Sequence, residues 1–143
     1  VDDLTRRGCA RLEWGAWTQA RGKDAARFYD EAIADFSAVL EKDASGLGAR
    51  RSHAVALDRR ADLGGLAPQA GKGLRERAVA ELTLCIDRDP QAWRDRVTRG
   101  VVLRKLGRAT EALADMEAAR ALSGGKANLD GLIEALRAES GDK

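Results

Sequence analysis

Aromatic residues are scarce, with three Trp, two Phe and one Tyr making up 4% of 143 residues. Strands draw on aromatic and β-branched side chains, so this shortage argues against a sheet-based fold. A single histidine, His53, leaves little material for acid–base catalysis. The two cysteines, Cys9 and Cys85, stand at unrelated positions. They form neither a disulfide framework nor a zinc-ligand spacing, and they fit a reducing, cytoplasmic setting. No apolar run approaches the roughly 20 residues a bilayer span requires, and the polar start at Asp2-Asp3 has no apolar signal region. A protein off the membrane is expected, and, as it starts at Val1 without Met, part of a longer or processed polypeptide. Charge of one sign is also missing, because 25 Lys and Arg oppose 23 Asp and Glu for a net +2. That balance gives no bulk attraction to nucleic acid or lipid. What the sequence does have is 27 alanines, which favour helix and predict an all-α domain over residues 1–143.

The helical signal comes in repeats. Sliding the sequence by 46 residues lays Glu31-Ala32-Ile33-Ala34-Asp35-Phe36 over Arg77-Ala78-Val79-Ala80-Glu81-Leu82, and a further 34 lays Ala78–Leu82 over Ala112-Leu113-Ala114-Asp115-Met116. Arg7-Gly8, His53-Ala54 and Arg99-Gly100 are spaced by 46, and the step from Gly8 to Gly15 is matched by Gly100 to Gly107. Within a unit, Ala32, Phe36, Val39 and Leu40 recur at i, i+4, i+7 and i+8, the stripe of an amphipathic helix. Segments at about Leu4 to Ala20, Leu47 to Leu63 and Pro90 to Leu106 precede these stripes and are helix-compatible, so each unit predicts a helix pair. Asp24 is placed to cap the second helix of unit one, Pro90 to open the first helix of unit three, and Ser123-Gly124-Gly125 to close that unit. Leu129, Leu132, Ile133 and Leu136 then mark a last helix at about 126–139 that covers the apolar end of the array.

These residues resemble the tetratricopeptide repeat, in the variant with Arg-Gly in the first helix and Ala-Ile-x-Asp-Phe in the second. Arg7-Gly8 with Ala32–Phe36 and Arg99-Gly100 with Ala112–Met116 carry the likeness, which spans about residues 2 to 124. The resemblance implies a right-handed superhelical stack of about three antiparallel helix pairs, over 1–46, 47–89 and 90–124, with a C-terminal capping helix. The first two units exceed the 34-residue period by 12 residues, all of which fall between the middle of the first helix and the start of the second. In unit one the excess is expected to lengthen both helices, with Trp14 and Trp17 meeting Phe28 and Tyr29 across a turn near Arg21-Gly22-Lys23. In unit two Gly64-Gly65, Pro68, Gly71 and Gly73 predict a loop from about Leu63 to Gly73.

A catalytic site needs a base with partners, and His53 is better explained by its repeat equivalents Arg7 and Arg99. Each has an acidic residue one helix later, which predicts three structural polar pairs, Arg7–Asp35, His53–Glu81 and Arg99–Asp115. Cys9 and Cys85 align with small packing residues and are expected to be inert. The run from Gly65 to Gly71-Lys72 has the wrong spacing for a phosphate loop, and no His or Cys cluster suits a metal, so no cofactor or metal is expected. The resemblance implies a concave wall built from the first helices, here Thr5, Cys9, Leu12 and Glu13, then Arg51, Val55, Asp58 and Arg59, then Arg94, Val97, Val101, Arg104 and Lys105. An acidic peptide or a free C-terminus complements such a wall. The residues that hold a chaperone-tail carboxylate elsewhere in the family are absent except at Arg94, so that partner is not expected. The function read from the sequence is a non-catalytic protein-interaction module. RNA binding, suggested by 19 Arg and by Trp93 beside Arg94, is disfavoured by the interspersed carboxylates. A structural spacer or self-association unit is the other alternative.

Overall fold

The computed structural model describes residues 2–141. Seven helices make up the described fold: α1 (Asp2–Ala20), α2 (Ala26–Lys42), α3 (Leu47–Asp62), α4 (Pro68–Arg88), α5 (Trp93–Lys105), α6 (Ala109–Leu122) and α7 (Asp130–Ser140). Among the described residues there is no strand, and no helix is long and apolar enough to cross a membrane. The protein divides into two compact units, one ending at Glu81 and one starting at Leu82, so the division falls inside α4.

In the first unit α1 packs on α2, and α2 on α3. Alanine and glycine set these approaches. Gly8 and Gly15 are buried on the face of α1 that meets α2, where a Cβ on Gly8 would fall 2.9 Å from Phe36 Cε1 and one on Gly15 only 2.5 Å from Tyr29 Cε1. The core gathers Ala32, Phe36, Val39, Ala49 and Ala56, with Leu4, Cys9, Leu12, Ile33 and Leu40 against it. In the second unit α5 packs on α6 and α6 on α7. Gly100 plays the part of Gly8, its missing Cβ leaving room for Met116. Leu129, Ile133 and Leu136 are buried on the α7 side, and Arg120 and Arg137 tie α6 to Asp130 and α7 to Glu117 at 3.1 Å each.

Three local expectations need correction. The loop expected to reach Gly73 ends at Ala67, and Pro68 opens α4, which runs straight through Gly71 and Gly73. Pro suits a first helical turn, and Gly64 and Gly65, at φ +69° and +72°, complete the turn by themselves. The 12 extra residues therefore lengthen the second helix of unit two as well. Pro90 does not open α5 but lies in the turn before Trp93. Asp24 stands one residue before the α2 cap, though its Oδ1 still accepts the Ala26 N–H at 3.0 Å. Gly71 and Gly73 sit in helix with open space where a Cβ would go. Replacing each with alanine is expected to stabilise the protein by about 0.5–1 kcal/mol. A lower urea midpoint for both variants would show that this stretch is loop.

Candidate functional site

Between the paired helices the polar residues form one motif three times. Arg7 on α1 donates to both Asp35 oxygens on α2, with Nη2 2.7 Å from Oδ1, and Arg11 adds a bond of 2.6 Å to Oδ2. His53 on α3 faces Glu81 on α4 at 3.3 Å, and Arg50 donates to the same carboxylate. Arg99 on α5 grips Asp115 on α6 bidentately at 2.7 and 2.6 Å. Arg96 approaches the same carboxylate at 3.8 Å, with its Nε buried and unpartnered. The second cations Arg11, Arg50 and Arg96 were not anticipated from the sequence, although Arg50 and Arg96 are themselves 46 residues apart.

His53 also meets a hydroxyl. Its Nε2 lies 3.2 Å from Ser37 Oγ while Nδ1 faces Glu81, an order of groups that would suit a hydrolytic triad. The repeat gives the plainer explanation. Thr83 Oγ1 accepts from Arg99 Nη1 at 3.2 Å, so Thr83–Arg99–Asp115 reproduces Ser37–His53–Glu81 with an arginine in the central place. Arginine cannot serve as a general base near neutrality. His53 is moreover fully buried, and Ser37 lies inside α2, whose backbone N–H groups are committed to the helix rather than to an oxyanion. With a neutral ring, Nδ1–H donating to Glu81 and Nε2 accepting from Ser37 satisfy all three groups, and the cluster joins α2, α3 and α4.

Burial pushes the Asp35 carboxyl up, but hydrogen bonds from Arg7 and Arg11 outweigh it and leave its pKa below the ordinary 3.8. Glu81 follows the same balance, with bonds from His53 and Arg50 holding it below 4.5 against burial. For a carboxylate whose folded pKa is depressed, the stabilisation is complete above the unfolded value and is lost as pH falls through the folded one. Stability from these two sites is therefore expected to hold from neutral pH down to about pH 5 and to fall below about pH 4. Urea midpoints across that range test it, with Asp35→Asn flattening the acid limb; a midpoint that rises on acidification contradicts it.

The wall residues have mixed fates. Leu12 and Cys9 pack against the first unit's core, and Thr5 is half-buried. Asp58 is buried, with Arg75 on α4 3.3 Å away, so it faces into the fold and is corrected from a wall residue to a structural one. Arg51 and Val55 are half-buried, and Arg59 is exposed. In the second unit Val97 and Val101 are half-buried and Lys105 is exposed. Arg94 lies over the Trp93 ring at 4.7 Å, and Arg104 is held bidentately by Glu139 of α7. Neither cysteine forms a disulfide, Cys85 being buried and Cys9 half-buried, and no group of His, Cys, Asp or Glu among the described residues could hold a metal.

The strongest departure is at Trp14 and Trp17. They do not meet Phe28 and Tyr29, because Gly15 is the α1 residue facing Tyr29, whose hydroxyl donates to Gln19 at 2.7 Å. Trp14, one position before Gly15, and Trp17, two after it, point away from α2, and they stand 56% and 48% exposed. The rings pack edge to face at 5.3 Å and line an open depression with Ala10 and Glu13, while Arg21 lies over Trp17 at 4.1 Å. The sequence held this signal, since Ala10, Glu13, Trp14 and Trp17 are spaced i, i+3, i+4 and i+7. No protein-family model matches the protein, and no curated protein matches it either.

Proposed function

We propose that this protein is a non-catalytic protein-interaction module, a tetratricopeptide-like array whose helix pairs continue one right-handed superhelical stack and whose first helices meet a partner segment. The observation that carries this reading is the half-exposed Trp14–Trp17 pair on the face of α1 turned away from α2. Large aromatic side chains left in water are characteristic anchors of protein interfaces. The motif cations and carboxylates, by contrast, are engaged within the fold, which favours binding over chemistry as their companion role. Nucleic acid is the poorer partner, because 23 carboxylates are interspersed among the 25 cations and no continuous basic stripe excludes them.

Photo-crosslinking in a lysate tests the reading, with the reactive residue placed at Ala10, Arg59 or Arg94 on the first helices and at the exposed Ala34 or Ala114 on the second helices. A nuclease-indifferent protein adduct from the first set and none from the second is expected. Equal labelling from both sets, or adducts lost with nuclease, would contradict the reading.

A further inference from the structure

We infer that the outer face of α1 at Ala10, Glu13, Trp14 and Trp17 is a docking site for a short acidic peptide segment carrying one large apolar side chain. The inference rests on the interaction-module reading above and adds the chemistry of the partner. The depression has an apolar floor: the indoles meet edge to face, and Ala10, one turn before Trp14, is too small to fill the space beside them. A leucine or phenylalanine side chain is the natural occupant of such a floor.

The rim is cationic. Arg21 lies over the Trp17 ring at 4.1 Å, and no carboxylate among the described residues pairs with it. Arg59 is exposed and likewise has no carboxylate partner among them. By the 46-residue offset it occupies on α3 the position that Glu13 occupies on α1, and α3 packs against α1 within the first unit. Two guanidinium groups thus stand against one carboxylate, Glu13. A segment with carboxylates on either side of its apolar anchor would give each arginine a charge-assisted partner and leave Glu13 to accept a backbone N–H. A second copy of the protein fits less well. Antiparallel pairing of two α1 helices centred between Glu13 and Trp14 brings Arg6 of each copy against Arg21 of the other.

The test is a titration of the protein with labelled synthetic peptides of about 12 residues, read by fluorescence anisotropy. One pool has a central Leu or Phe flanked by Glu and Asp; one control pool has Lys flanks, and the other a central Ser. The acidic apolar pool is expected to bind about tenfold more tightly than either control, and Trp14→Ala with Trp17→Ala to remove that advantage. Arg21→Glu and Arg59→Glu are each expected to weaken binding about threefold and to reduce its salt dependence. Because both indoles are half exposed, helical content by circular dichroism should be unchanged in all variants. Equal affinity for the three pools, or full affinity in the tryptophan variant, would overturn the proposal. So would displacement of the peptide by a single-stranded thymidine oligonucleotide, or a parent dimer that the tryptophan variant loses in sedimentation. If crosslinking captures a protein that the tryptophan variant still binds, the interaction reading stands and this site falls; if crosslinking captures nothing, the reading itself falls.

Discussion

Replacing His53 with alanine is expected to lower the unfolding free energy by about 3 kcal/mol, the cost of a buried large-to-small change with stranded polar partners. The imidazole is fully buried, and its removal leaves a void among α2, α3 and α4. Glu81 then keeps Arg50, while the Ser37 hydroxyl loses its partner. His53→Leu separates the two contributions, since it restores most of the volume but none of the hydrogen bonds. A loss of about 1–2 kcal/mol is expected for it. Urea unfolding at neutral pH measures both. A loss under about 1 kcal/mol for His53→Ala would show that the cluster does not hold these helices together.

Gly15→Ala is expected to destabilise the protein by about 2 kcal/mol, although alanine is the better helix former by about 1 kcal/mol. The new methyl would lie 2.5 Å from Cε1 and 2.8 Å from Cδ1 of Tyr29. That ring is fully buried and its hydroxyl is tied to Gln19, so it has nowhere to swing. Gly100→Ala supplies the contrast. Its closest contact is the Met116 methyl at 2.7 Å, the free end of a flexible side group, so the overpacking is smaller and the substitution is expected to be close to neutral. Thermal unfolding ranks the two variants, and equal midpoints would contradict the reading that ring rigidity sets the cost.

The same two glycines show where the sequence was legible and where it stopped. The helix count, the pairing and the identity of the three motif pairs follow from a 46-residue offset and helical spacing, because a repeated packing interface repeats its small, apolar and charged positions. Gly15 and Gly107 match in that alignment, yet Gly107 ends α5 at φ +77° while Gly15 lies inside α1 against Tyr29. Local sequence does not distinguish a glycine that turns the backbone from one that admits a ring; the partner one helix away decides. The error at Leu63 to Gly73 has the same origin. Gly71 and Gly73 read as loop residues, but Pro68 starts a helix that carries their propensity cost through to Arg88. Trp14 and Trp17 read as facing Phe28 and Tyr29 across the turn because the insert lengthens both helices, and their exposure follows only once Gly15 is known to face Tyr29. Asp58, a wall residue by its repeat position, is buried beside Arg75 of α4, a partner that the repeat offset does not show.

The most direct test of the docking face is a fluorine NMR titration of the protein labelled with 5-fluorotryptophan. Its three tryptophans, Trp14, Trp17 and Trp93, are assigned one at a time by Trp→Phe substitution. Adding the acidic apolar peptide is expected to shift and broaden the Trp14 and Trp17 resonances together and to leave Trp93 in place. A shift confined to Trp93, or no shift while the peptide binds, would contradict the assignment of the interaction surface to α1.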